Sequence, residues 1–94
     1  MTIETTVFTF QLSNTFGEWV KMFDSPEIDE FHKNVGLSPL YRGKGLTDAK
    51  EVIVIHQAEE GVVKHIFSDP EIIKNIEAGG HIFSTTKITS WLSD

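Results

Sequence analysis

Glu51-Val52-Ile53-Val54-Ile55-His56-Gln57-Ala58 sets four aliphatic side chains in a row and then ends on an imidazole. Four β-branched residues suit an extended strand, where consecutive side chains point to opposite faces. Val52 and Val54 then line one face and Ile53 and Ile55 the other, so both faces of this strand need cover. Two questions follow. One is what covers each face, and the other is whether His56 is a working group or the polar end of a buried strand.

Upstream, Ile3 to Leu12 is rich in β-branched and aromatic residues, with Phe8, Phe10 and Leu12 on one parity and Val7 among Thr5, Thr9 and Gln11 on the other. That pattern predicts a first strand. From Asn14 the period changes: Phe16, Trp19, Val20 and Phe23 fall at i, i+3, i+4 and i+7, one stripe of a helix. Thr15 and Glu18 have capping-box spacing, with Asn14 the other possible cap. Ser25-Pro26 reads as an N-cap and N1 pair that restarts the helix; Ile28, Phe31, His32 and Val35 continue the stripe, and Gly36 ends it. Leu37 to Gly45 is a short strand suited to a sheet edge, given Pro39 and two glycines.

Downstream of the opening strand, Gly61 to Phe67 returns to helix, Asp69-Pro70 restarts it, Gly79-Gly80 stops it, and Ile82 to Leu92 is a Thr-rich fourth strand that His81 introduces. The order is βαββαβ. Phe23-Asp24-Ser25-Pro26-Glu27-Ile28 and Phe67-Ser68-Asp69-Pro70-Glu71-Ile72 match at an offset of 44, which also aligns Gly17 with Gly61 and Gly36 with Gly80. The echo fits either a duplicated half or two helices restarted by the same proline chemistry. Both predict an α+β, ferredoxin-like sandwich over residues 1–94, with one four-stranded antiparallel sheet and the helices on one face. Two helical segments cover only one face of the third strand, so a second subunit or a ligand under a flap of chain must cover the other.

Composition narrows the function. With 94 residues and 39% apolar content, the chain can bury one modest core. A formal charge of -6, from 14 acidic and 8 scattered basic residues, offers no basic stripe, so nucleic acid is not an expected partner. The absence of cysteine excludes disulfides, thiolate metal sites and a Cys nucleophile, and suits a reducing compartment. No signal-peptide pattern and no apolar run of the roughly 18 residues a span needs lead to the expectation of a cytoplasmic protein that does not engage membranes.

No Gly-x-Ser-x-Gly elbow, His-Glu-x-x-His, phosphate loop or dinucleotide fingerprint is present. Gly43-Lys44-Gly45 reads as a hairpin end and Glu59-Glu60 as a solvated loop. Among the histidines, His32 sits on an apolar stripe and is expected buried, whereas His65 faces solvent. His56 ends the third strand and His81 begins the fourth, and the sequence reading puts both at one sheet edge, about 10 Å apart across two strand spacings. No spacing resembles a metal pattern, and no metal is expected. As a base, His56 has a suitable intrinsic pKa but no acidic partner at a defined spacing.

Phe16-x-x-Trp19-x-x-x-Phe23-Asp24, Gly36-Leu37-x-Pro39-Leu40-Tyr41-Arg42-Gly43 and Val52 through Gly61 resemble a small family of cyanobacterial proteins. More widely, the chain is similar to the dimeric α/β-barrel superfamily, which includes antibiotic-biosynthesis-type and quinol monooxygenases without cofactors, haem degraders, lactone isomerases and stress-responsive proteins. The resemblance implies a homodimer whose sheets pack through their open faces. It also implies a pocket for a small organic ligand between sheet and helices, lined by residues such as Phe8, Phe10, Trp19, Phe23, Tyr41 and His56, with Arg42 and His81 beside them. The haem degraders use an Asn on the first strand and a Trp on the third; neither is here, so no haem and no other cofactor is implied. Two functions compete: a binding or interaction module without catalysis, and a cofactor-free enzyme acting on a small aromatic or lactone-like substrate. In the second, His56 is the base and Tyr41 or Arg42 holds an oxyanion or carboxylate. An enclosed cavity of roughly 300 Å³ or more around His56 favours a ligand; a filled core favours an interaction role.

Overall fold

In the computed structural model, which describes residues 2–93, the chain runs β1 (Ile3–Leu12), α1 (Phe16–Phe23), α2 (Pro26–Val35), β2 (Ser38–Lys44), β3 (Glu51–Glu59), α3 (Val62–Ile66), α4 (Pro70–Ala78) and β4 (His81–Leu92). The helix boundaries follow the capping chemistry. Thr15 Oγ1 accepts from the Glu18 N–H at 3.2 Å while Glu18 accepts from the Thr15 N–H, closing a capping box that satisfies otherwise orphaned donors. Ser25 accepts from the Ile28 N–H in front of Pro26 at N1, and Asp69 accepts from the Glu71 N–H in front of Pro70. A proline has no N–H to lose at the first helical position, so each helix breaks and restarts there. Gly36, at φ 80°, ends α2 in the left-handed conformation that only glycine adopts cheaply.

The strands form one antiparallel sheet in the order β2-β3-β1-β4, a ferredoxin-like arrangement with the helices on one face. Thr6, Phe8 and Phe10 pair with His56, Val54 and Val52, and all six side chains are buried under the helices. Val7, Ile53 and Ile55 project to the opposite, open face and are only half-buried. The opening strand is thus apolar on both sides, and the chain itself covers one of them.

β4 departs from the sequence reading, which grouped Ile82, Ile88 and Leu92 on one parity against Phe83 and Trp91. Gln11 pairs with Ile82 and Thr9 with Lys87, so one residue of β1 (Phe10) faces four of β4 (Phe83, Ser84, Thr85 and Thr86). The three extra residues reverse the facing of every position beyond them. Ile82 and Trp91 therefore share the open face, and Phe83, Ile88 and Leu92 the helix side. Thr85 holds the irregularity: its hydroxyl accepts from the Gln11 N–H at 2.8 Å and donates to the Ile82 carbonyl at 2.6 Å, replacing lost ladder bonds. β2 has a smaller shift between Pro39 and Tyr41, after which Tyr41 opposes Ile55 and Arg42 opposes Val54.

Candidate functional site

Between sheet and helices lies a cavity of about 200 Å³. Phe8, Phe10, Val54 and His56 form its floor, and Trp19, Phe23 and Phe67 form its walls. Ile28 and Phe31 of α2 and Ile72, Asn75 and Ile76 of α4 frame the mouth, none of them fully buried. Aromatic contacts knit the wall: Trp19 stacks on Phe23 at 4.7 Å between centroids and meets Phe10 edge-on at 5.7 Å.

The offset of 44 found in the sequence runs through this lining. Phe10 corresponds to Val54, Met22 to Ile66, Phe23 to Phe67, Ile28 to Ile72, Phe31 to Asn75, His32 to Ile76 and Leu37 to His81, and both members of every pair line the cavity. His56 corresponds to Leu12, which is buried on the same sheet face towards the other end of β1. The lining is therefore largely two-fold and apolar, and His32, His56 and His81 each take a place that an aliphatic residue holds in the other half.

His56 is only 5% exposed, and neither ring nitrogen has a hydrogen-bond partner. Phe8 meets it edge-on at 5.2 Å and the His32 ring lies 5.5 Å away. Burial, reinforced by the neighbouring His32, pushes the His56 pKa down to about 4. His32, buried among Phe23, Phe31 and His56, is also lowered by desolvation, with Asp29 pulling the other way. His81 stacks flat on Phe10 at 3.6 Å, its Nε2 is 2.6 Å from Thr86 Oγ1, and burial takes it down to about 4. Among the described residues, no Lys, Arg, Asp or Glu lines the cavity. At neutral pH it holds three uncharged imidazoles in an apolar shell, each with one N–H and one lone pair.

Phe8, Phe10, Trp19, Phe23, His56 and His81 all reach this cavity; Tyr41 and Arg42 do not. The β2 register sends Tyr41 to the open face, where it is 58% exposed and its ring lies over Gly43. Arg42 turns towards the helices but forms a bidentate pair with Asp24 at the α1–α2 break, its Nε 2.8 Å from Oδ1, which lowers the Asp24 carboxyl and raises the guanidinium. The expected oxyanion or carboxylate holder is thus absent from the cavity. His56 and His81 also differ from expectation. They pair with Thr6 and Leu12, six positions apart on β1 and roughly 20 Å along the strand, not at one sheet edge. Both enter the cavity because both point under the helices, with Phe8 and Phe10 between them. The sequence reading left His32 out of the site, although its place on the α2 stripe was the signal. Among the described residues, no group of three or more His, Asp or Glu is arranged to hold a metal ion.

Residues 3–93 match the family model described as "Domain of unknown function (DUF3764)". No curated protein matches the chain in sequence. Among solved structures, the chain is similar to SnoaB, a cofactor-independent oxygenase from Streptomyces nogalater, at 10% identity and TM-score 0.58, covering 100% of this chain and 93% of that one. It is also similar to a monooxygenase from the gene ActVA-Orf6 of Streptomyces coelicolor, in complex with Nanaomycin D, at 17% identity and TM-score 0.59, covering 97% and 87%. At these identities the likeness establishes the fold.

Proposed function

The chain belongs to the DUF3764 family, whose domain is one of unknown function, and we propose from its geometry that it binds a small aromatic molecule in the cavity and oxidises it without a cofactor. The observation that carries this reading is His56: two unpartnered nitrogens on a buried imidazole in a cavity lined mostly by apolar side chains. Native structures rarely leave such groups unsatisfied, and those that do often reserve them for chemistry or a ligand. A dry cavity of about 150 Å³ is large enough for benzene, so about 200 Å³ takes one ring or a compact pair. The structural likeness to two oxygenases, one of them cofactor-independent, supports the choice of chemistry.

In this mechanism neutral His56 accepts a proton from an acidic ring CH₂ or hydroxyl, and the electron-rich anion passes electrons to dioxygen. Conversion of a CH₂ to a carbonyl consumes one O₂ and releases one H₂O. A pKa of about 4 keeps His56 unprotonated at pH 7. The imidazolium and the substrate anion form in contact in a site of low polarity, where their attraction offsets the weak intrinsic basicity. Oxygen uptake tests this with one- and two-ring phenols and their keto tautomers. We expect uptake that falls by about 10²-fold or more in His56→Gln. Compounds that bind without any oxygen uptake reject turnover.

The second reading, a binding module without turnover, is favoured by the size of the cavity, which is below the roughly 300 Å³ of ordinary ligand pockets. In either case the molecule works as a homodimer joined through the open face. Trp91 and Tyr41 on that face are 56% and 58% exposed, beside Val7, Ile53 and Ile55. A second copy supplies the cover that the helices give the other side.

A further inference from the structure

We propose that His32 and His56 form a two-imidazole clasp for a single hydroxyl group, so that the cavity selects a neutral hydroxylated ring over both the bare hydrocarbon and the carboxylate. The inference rests on the reading that the cavity holds an aromatic molecule, and it adds His32 as a residue that determines which one.

The two rings are neighbours in one lining: their centroids are 5.5 Å apart, both reach the cavity, and neither His56 nitrogen has a hydrogen-bond partner, so a hydroxyl lodged against the pair meets two imidazoles. A neutral imidazole carries one donor and one acceptor, and a hydroxyl is also both, so it can donate to one ring while accepting from the other. A carboxylate brings a charge into a cavity with no Lys or Arg among the described residues of its lining, where its lost hydration goes uncompensated. Burial holds both imidazoles towards the neutral form, which preserves the lone pair the clasp requires.

The internal two-fold shows that the fold does not demand imidazoles at these positions. Ile76 stands where His32 does in the other half, and Leu12 where His56 does, and both packing positions are filled by aliphatic side chains. The two polar exceptions are in ring contact with each other. The third, His81, is already occupied by the Phe10 stack and the Thr86 bond, at the other end of β1.

Isothermal titration at pH 7.5 with 1-naphthol, naphthalene and 1-naphthoate separates the possibilities. Naphthol should bind at least about tenfold more tightly than naphthalene, the size expected of hydrogen bonds to two neutral imidazoles, and naphthoate more weakly than either. His32→Ile and His56→Leu, which copy the other half of the molecule, should each collapse the naphthol preference to about two- to threefold and leave naphthalene affinity unchanged or improved. Equal binding of naphthol and naphthalene by the native protein, naphthoate binding as tightly as naphthol, or a preference that survives His32→Ile overturns the clasp. If none of the three binds, the cavity itself is not a ligand site and the proposed function falls too; if all bind alike, only the clasp falls. Should a variant fail to fold, ¹⁵N spectra of histidine-labelled native protein decide. Naphthol must move the ring nitrogens of His32 and His56 while exposed His65 stays put, and unmoved His32 resonances count against the proposal.

Discussion

A proton on His56 or His81 has to enter an apolar interior. In the unfolded chain each takes up a proton near pH 6.5, whereas in the folded protein burial delays this to about 4. The unfolded state therefore binds more protons between these values, and folding is favoured most above pH 6.5. The stabilisation is lost as the pH falls towards 4, on the order of 3 kcal/mol for each residue. Urea midpoints should hold steady from pH 8 to 7 and drop steeply from 6.5 to 4; a flat profile over that range rules out neutral burial of the pair. His32→Asp sets a carboxylate beside Phe23, Phe31 and His56 with no cation to meet it, and should lower stability by about 2–4 kcal/mol. An unchanged thermal midpoint would show that His32 is not structurally committed. At this scale the sequence was partly legible. The stripe of α2 places His32 inside, whereas Tyr41 misses the pocket through a one-residue shift in β2 that no side chain announces, and Arg42 through its pair with Asp24.

Elements were easier to read than their faces. Capping residues and Pro-restarts define α1, α2 and α4, since those signals act locally through hydrogen bonds within a few residues of one another, while α3 starts at Gly61 with no side-chain cap. The facing of β4 beyond Phe83 was not legible, because it is set by how many residues the strand inserts opposite Phe10 of β1, and the Ser-Thr-Thr run gives no alternation to count. Thr85 is the residue on which that insertion depends. Thr85→Val leaves the Gln11 N–H and the Ile82 carbonyl without their partner and should cost about 1–3 kcal/mol in urea denaturation. Thr86→Val, which releases only the single bond to His81, should cost less. The reverse order would mean that the backbone holds the insertion without help from Thr85.

Across the whole molecule, the large apolar side chains left most exposed, Leu40, Tyr41, Leu46, Ile82, Ile88, Trp91 and Leu92, all belong to β2, β4 or the β2–β3 turn, and none belongs to a helix. Of these, Tyr41, Ile82 and Trp91 stand on the open face with Val7, Ile53 and Ile55, and the helices leave that face unfinished. A two-fold dimer burying on the order of 1,200–2,000 Å² would finish it. Sedimentation equilibrium at micromolar concentration should give twice the 10.6 kDa chain mass, and Ile55→Lys should shift the species towards monomer by placing a charge at the centre of the face. A native monomer that Ile55→Lys leaves unchanged sinks the dimer. The requirement for cover was legible from Val52 through Ile55 alone, since alternation puts aliphatic groups on both faces whatever the rest of the chain does.

β1 lies in the interior of the sheet, and both of its neighbours come from far along the chain. Gln57 reaches back 52 residues to Thr5, and Ser93 closes on Ile3 across 90. β1 is therefore made before either of its partners, and Val7-Phe8-Thr9-Phe10 remains a naked, adhesive segment until β3 and then β4 have followed. Non-local pairing of this kind sets a slow assembly, in the millisecond-to-second range, during which collapse onto a neighbouring nascent chain competes with closure. Yield on expression should then depend on the rate of synthesis and on chaperone capacity more than on equilibrium stability.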